Sequence, residues 1–208
     1  NEEKENNPSN SQNQSLSQKA SEEKYDSSAP VKSTIINTSF GKIFSRYVGS
    51  LDPSSTLLVL FVHGSGVESS SADYEIMFYD ISLRLPPNSN YCFVSFDCPG
   101  YGRSSGVRQS IRSYPLKVIS EVVQALGYKM CYALYGHSQG GNSVFLAVLE
   151  NPLLCSKIIQ DRPVFATSRV VELKRLQQPT LLVYDEDDSG HPIKTGRLIA
   201  KAMPNQQF

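Results

Sequence analysis

The sequence lacks any apolar run long enough to cross a bilayer. Its longest, Leu57 to Val62, falls far short of the roughly 20 residues that a spanning helix needs. It also lacks net charge, with 20 basic residues against 20 acidic ones, so no electrostatic footprint points to nucleic acid or an anionic membrane as a partner. The amino terminus is polar and carries no apolar stretch of the kind a secretory signal uses. It begins with Asn in place of Met, as a fragment or a processed form would. Cysteine is sparse: Cys92, Cys98, Cys131 and Cys155 form no C-x-x-C pair, and the three histidines stand far from any cysteine cluster. That spacing argues against a zinc centre. Cys92 and Cys131 lie in apolar stretches that suit small buried thiols, and the set is expected to stay reduced in a cytoplasmic setting. No metal or other cofactor is expected.

What is present fits one domain preceded by a tail. Residues 1–30 hold only Leu16, Ala20, Tyr25 and Ala29 as apolar residues among Asn, Ser, Gln, Glu and Lys. Such a segment cannot bury enough surface to offset the entropy of ordering it, and it reads as a disordered polar tail. From residue 31 to 208 the texture is that of a folded domain. Ser33–Thr38 and Lys42–Val48, joined around Gly41, predict a hairpin. Thr56–Val62, Tyr91–Asp97, Cys131–Tyr135, Lys157–Phe165 and Pro179–Tyr184 read as strands. Helical spacing predicts helices over Ala72–Leu85, Pro115–Leu126, Gln139–Leu149 and Ile193–Met203. The near-continuous apolar run TLLVLFV suits a strand covered on both faces. Alternation of strand and helix predicts an α/β fold, a mostly parallel twisted sheet with helices on both faces. Ligands bind such sheets beyond the carboxyl ends of the strands, where the polar motifs of this chain fall.

The most informative motif is Tyr135-Gly136-His137-Ser138-Gln139-Gly140-Gly141, a G-x-S-x-G between an apolar strand and an apolar helix. A sharp strand-to-helix turn strains its central residue, and Gly136 and Gly140 remove side chains that would clash. Ser138 would then stand above the sheet at the positive end of a helix. The Gln139 N–H and that helix terminus would stabilise an oxyanion beside it. The bland alternative is a glycine-rich turn that happens to contain Ser.

On these residues the chain resembles the α/β-hydrolase superfamily, and in particular its small capless branch. Three further stretches are similar to the family's motifs. His63-Gly64-Ser65-Gly66 after the first long strand resembles the HG oxyanion loop, which implies the Ser65 N–H as second oxyanion donor and Gly64 as a loop glycine. Asp97-Cys98-Pro99-Gly100-Tyr101-Gly102-Arg103-Ser104 resembles the D-x-P-G-x-G-x-S loop, in which Asp97 fixes the turn and has no catalytic part. Asp185-Glu186-Asp187-Asp188 follows the strand from Pro179, where the family carries its triad acid. The likeness favours Asp188 over Asp187, with Pro192 as the closing proline. Only residues 166–178 separate the last two long strands, too few for a lid domain.

A serine hydroxyl needs a base, and an acid to orient that base. The resemblance implies a catalytic histidine on a loop after a further strand, beyond Phe208, so that the last strand and helix are missing from the sequence. The histidines at hand are weaker candidates. His63 belongs to the oxyanion loop, His137 should point away from the serine, and His191 lies three residues after Asp188. The expected function is therefore serine hydrolysis of an ester or related acyl bond in a small-molecule substrate through a Ser138 acyl-enzyme. The alternative is a non-catalytic scaffold of the same fold. Oligomeric state and acyl length are not legible.

Overall fold

The computed structural model of the chain describes residues 30–108 and 116–207. The tail expected over residues 1–30, apart from Pro30, lies outside the described residues, as do Pro115 and Phe208. Eight strands form one sheet: β1 Lys32–Thr38, β2 Gly41–Val48, β3 Leu57–Val62, β4 Tyr91–Phe96, β5 Cys131–His137, β6 Cys155–Asp161, β7 Thr180–Val183 and β8 Gln206–Gln207. Their spatial order is β1-β2-β4-β3-β5-β6-β7-β8. β1 and β2 form the expected antiparallel hairpin, and β2 also runs antiparallel to β4. From β4 onward every pairing is parallel. Parallel neighbours need crossovers, and among the described residues four α-helices supply all of them but the one between β6 and β7: α1 Glu75–Arg84, α2 Leu116–Ala125, α3 Gln139–Glu150 and α4 Ile193–Ala202. The architecture is the expected α/β one.

The central strands are apolar because both of their faces are covered. Leu58, Leu60 and Val62 pack with Val118, Ile119, Val122 and Val123 of α2, with Val144 and Val148 of α3, and with Ile199 of α4. Val59 and Phe61 point the other way, into a smaller cluster with Tyr74 and Phe78. Three helices thus cover one face and α1 the other. Gly127 closes the α2 segment with φ 85°, the left-handed step that ends many helices.

The segment expected as a helix over Ala72–Leu85 differs in detail. Ser71–Tyr74 forms a 3-10 turn, and the α-helix starts only at Glu75. Of the apolar residues at helical spacing, Phe78 alone is buried, while Ile76 is 82% exposed and Leu83 67%. The helix is held by one aromatic anchor, the Phe78 ring edge-on to Phe61 at 5.1 Å. Burying such a ring is worth about 1.5–3 kcal/mol. Leu85 adopts extended ψ 121° before Pro86, as a residue preceding proline must. β6 also ends earlier than expected, at Asp161, because Arg162 turns into the left-handed region and Pro163 has no N–H to continue a ladder. The connection before β7 is a short run of 3-10 turns, Thr167–Arg175.

Candidate active site

The carboxyl ends of β3, β5, β6 and β7 converge, and each carries one part of the site. β5 ends in His137 and α3 begins at Gln139, so a single residue, Ser138, makes the whole turn. Its backbone is at φ 51°, ψ −118°, a conformation that costs a non-glycine residue on the order of 1–3 kcal/mol. Several backbone bonds enforce it. The Ser138 N–H donates to Asp161 O at 3.0 Å, and Ser138 O accepts from Gly141 N at 3.1 Å and Val164 N at 3.0 Å. Gly140 is required by proximity: a Cβ there would run into the backbone oxygens of Val62 and His63. A Cβ on Gly136 would come within 2.5 Å of Gly141 Cα. Gln139 is the first residue of α3, so its N–H is among those a helix terminus leaves without an intrahelical partner.

The His63–Gly66 loop lies beside the serine. A Cβ built on Gly64 would sit 3.5 Å from Ser138 Cβ. His63 is fully buried and supports the loop. Its Nδ1 donates to Gly64 O at 2.6 Å, which leaves Nε2 to accept from Cys98 N at 3.0 Å. Burial pushes this imidazole below its usual pKa, so it is neutral and both of its nitrogens are occupied. Sequence reasoning missed Arg108, whose guanidinium donates to the carbonyls of Ser65 at 3.2 Å, Gly66 at 2.9 Å and Val67 at 3.2 Å. Asp97 fixes the neighbouring loop. It is buried, and its carboxylate accepts from Ser71 N at 2.6 Å and Arg103 N at 2.7 Å.

Asp188 lies in the loop after β7. Its two oxygens divide the work. Oδ1 accepts from Gly190 N at 2.8 Å and His191 N at 3.0 Å, folding the loop back on itself. Oδ2 faces the His191 ring, whose Nδ1 donates to it at 2.9 Å. The far nitrogen, Nε2, stands 3.0 Å from Ser138 Oγ. The hydrogen bond from His191, assisted by the backbone donors, holds the Asp188 carboxyl below its ordinary pKa. Asp187 takes no part; its N–H donates to Asp185 Oδ1 at 3.0 Å.

The geometry differs here from the sequence expectation, which sought a histidine beyond Phe208 and set His191 aside. The backbone turn that Asp188 caps brings its own i+3 neighbour onto the serine. The available signal was the spacing Asp188-x-x-His191 at a strand's carboxyl end. His137 is turned away from the serine, with Nδ1 donating to Asp161 Oδ2 at 3.0 Å. Asp161 also accepts from Tyr135 Oη at 3.0 Å and from Arg162 Nε at 2.8 Å. Burial alone would raise its pKa, but these hydrogen bonds and the neighbouring charges outweigh that and hold it well below the usual carboxylate range. The four cysteines are buried and none is in a disulfide, and burial raises the Cys92 and Cys155 thiols to about 12, which keeps those two protonated. Among the described residues, no group of His, Cys, Asp and Glu is arranged to hold a metal. No helix among them is long and apolar enough to cross a membrane.

The alpha/beta hydrolase fold family model matches residues 58–172. Among solved structures, the chain is similar to a predicted CIB-like hydrolase from Thermoplasma acidophilum, at 23% identity and TM-score 0.72, over 85% of this chain and 84% of that one. It is also similar to an esterase from Exiguobacterium antarcticum, at 15% identity and TM-score 0.68, over 85% of this chain and 89% of that one. A third similar structure is the 2-hydroxy-6-oxo-6-phenylhexa-2,4-dienoate hydrolase from Rhodococcus sp. strain RHA1, at 15% identity and TM-score 0.69, with the same coverage of 85% and 89%. Comparison of the sequence with curated proteins returns no significant match.

Proposed function

The chain belongs to the α/β-hydrolase fold family, and from that premise we propose that it is a serine hydrolase that cleaves an ester or related acyl bond in a small molecule. The observation that carries this reading is the continuous line of hydrogen bonds from Ser138 Oγ through His191 to Asp188, at 3.0 Å and 2.9 Å. Ser138 is the nucleophile, His191 the general base and Asp188 the acid that orients it. Because Asp188 accepts the proton on Nδ1, Nε2 presents its lone pair to the serine hydroxyl, the tautomer that the chemistry needs.

As Ser138 Oγ adds to the substrate carbonyl, its proton passes to Nε2. The carbonyl oxygen takes the negative charge and meets the N–H groups of Gln139 and Ser65. Collapse expels the alcohol, which leaves with the proton held on Nε2. Water, deprotonated by the same nitrogen, then attacks the acyl-enzyme and frees Ser138. The His63 ring and the Arg108 guanidinium keep the oxyanion loop in shape. The short connection before β7 leaves the site open, which suits small esters and acyl groups displayed on larger molecules. The esterase among the similar folds agrees with that substrate class.

The test is covalent. A fluorophosphonate probe is expected to label the wild-type protein at Ser138, to leave Ser138→Ala unlabelled, and to compete with p-nitrophenyl butyrate turnover. A folded wild-type protein that takes no label and turns over no ester would replace this reading with the non-catalytic one.

A further inference from the structure

Among the described residues, two that are not glycine have positive φ, Ser138 at 51° and Arg162 at 48°. They occupy equivalent places, one residue past the carboxyl ends of adjacent strands β5 and β6. Strain of this kind persists only where the surroundings over-determine it, and it gathers at functional sites. For Ser138 the role is the nucleophile's; Arg162 has no part in the reaction as described so far. Its backbone is pinned by its N–H, which donates to Val183 O at 2.8 Å, at the end of the strand that leads to Asp188.

The left-handed turn aims the Arg162 side chain between two carboxylates. Nε donates to Asp161 Oδ1 at 2.8 Å, the terminal Nη2 to Asp161 Oδ2 at 3.2 Å, and Nη1 lies 3.5 Å from Asp188 Oδ2. That last oxygen is the one that holds His191. Asp161 is itself fixed by His137 and Tyr135, so the guanidinium is docked on a rigid anchor. The planar fork of arginine suits this, since it can spend two N–H groups on one carboxylate and turn a third toward another.

We propose that Arg162 is a positioning residue for the hydrolytic site, holding the Asp188 carboxylate in register with His191 and shielding it from the like charge of Asp161. The role rests on the reading of Ser138, His191 and Asp188 given above. Without the guanidinium, two carboxylates would face one another across the ends of β6 and β7. Asp188 Oδ2 would then be free to rotate off the imidazole.

Arg162→Gly is the informative variant, because glycine adopts positive φ without strain and leaves a guanidinium-shaped gap. Relief of the backbone strain offsets part of the lost Asp161 pairing, so the variant is expected to fold with a cooperative melt, yet to lose kcat on p-nitrophenyl butyrate by about tenfold or more, with KM within about twofold. Millimolar guanidinium ion, added to the folded variant, is expected to restore kcat several-fold. Arg162→Lys should fall between, since one ammonium cannot engage both carboxylates. A glycine variant with wild-type kcat overturns the role, and so does a loss that guanidinium fails to rescue. A wild type that neither hydrolyses the ester nor takes the phosphonate would instead bring down the reaction itself, and this role with it.

Discussion

Removing the His191 imidazole is the perturbation that bears most directly on the site. Its Nε2 stands 3.0 Å from Ser138 Oγ, and neither of the other two histidines in the chain can stand in for it. His63 is fully buried with both ring nitrogens engaged. His137 is tied by Nδ1 to Asp161, and its ring centre lies 6.0 Å from that of His191. His191→Ala should therefore forfeit the whole of general-base catalysis, up to about 10⁴-fold in kcat, or about 5.4 kcal/mol of barrier at 1.36 kcal/mol per decade. Ser138→Ala should cost a similar amount, and the double variant little more than either, since the residues act as one unit. Asp188→Asn isolates the orienting charge. The asparagine carbonyl can still accept from Gly190 and His191 N–H, which keeps the turn folded, while its amide can no longer accept the proton on Nδ1. Its kcat should approach that of His191→Ala. The assay is steady-state hydrolysis of p-nitrophenyl butyrate beside the rate of phosphonate labelling. The reasoning is refuted if His191→Ala keeps more than about a tenth of wild-type kcat while Ser138→Ala is inactive, a gap far smaller than a base can explain.

Two further outcomes concern stability. The Asp161 carboxyl is depressed in the folded protein, so its contribution is complete above its unfolded pKa of about 3.9 and is lost as pH falls toward the folded value. Urea titrations should show Asp161→Asn less stable than wild type at neutral pH by about 1–3 kcal/mol, with the two curves converging below about pH 4; parallel curves would contradict this. Gly140→Ala should lower the free energy of unfolding in urea titrations by about 1–3 kcal/mol or more, and the midpoint with it, since the added methyl meets carbonyl backbone and not a flexible side chain. An unchanged midpoint with unchanged kcat would show that the elbow has room to spare.

The parts of this protein that could be read from its sequence are those written locally. The apolar run ending at Val62, the glycines flanking Ser138 and the Asp97–Ser104 loop each declare their conformation within a few residues. The same holds for Asp188, which the chain reaches directly after an unmistakable strand. What escaped depends on residues brought together by strand register. Arg108 reaches the His63–Gly66 loop from 42 residues away, and Asp161 meets His137 across 24. Arg162 stands in an ordinary-looking β stretch, and arginine gives no hint of a left-handed backbone; Pro163 was the only local mark that the strand had to stop. His191 was set aside for the opposite reason. Its contact with Asp188 is as local as any in the chain, but reading it required the carboxylate's other oxygen to fold the backbone back first.

That turn also explains why the site can be compact. An acid and base drawn from separate loops must be aligned by the packing of two strands and a helix. Here Asp188 Oδ1 shapes the loop that presents the His191 ring to Oδ2, so alignment within the pair is fixed over four residues. What remains to be set is the position of the pair relative to Ser138, a contact 53 residues apart. The structure ties the two halves together through β6, which lies between β5 and β7. Asp161 accepts the Ser138 N–H on its backbone oxygen, and Arg162 donates its own N–H to Val183. Two successive residues therefore brace Ser138 and the strand that leads to Asp188 from one strand end. That is where strain is worth keeping, because relaxing either turn would move Ser138 Oγ relative to His191, and a misplacement of about 1 Å can cost on the order of 10²-fold in rate.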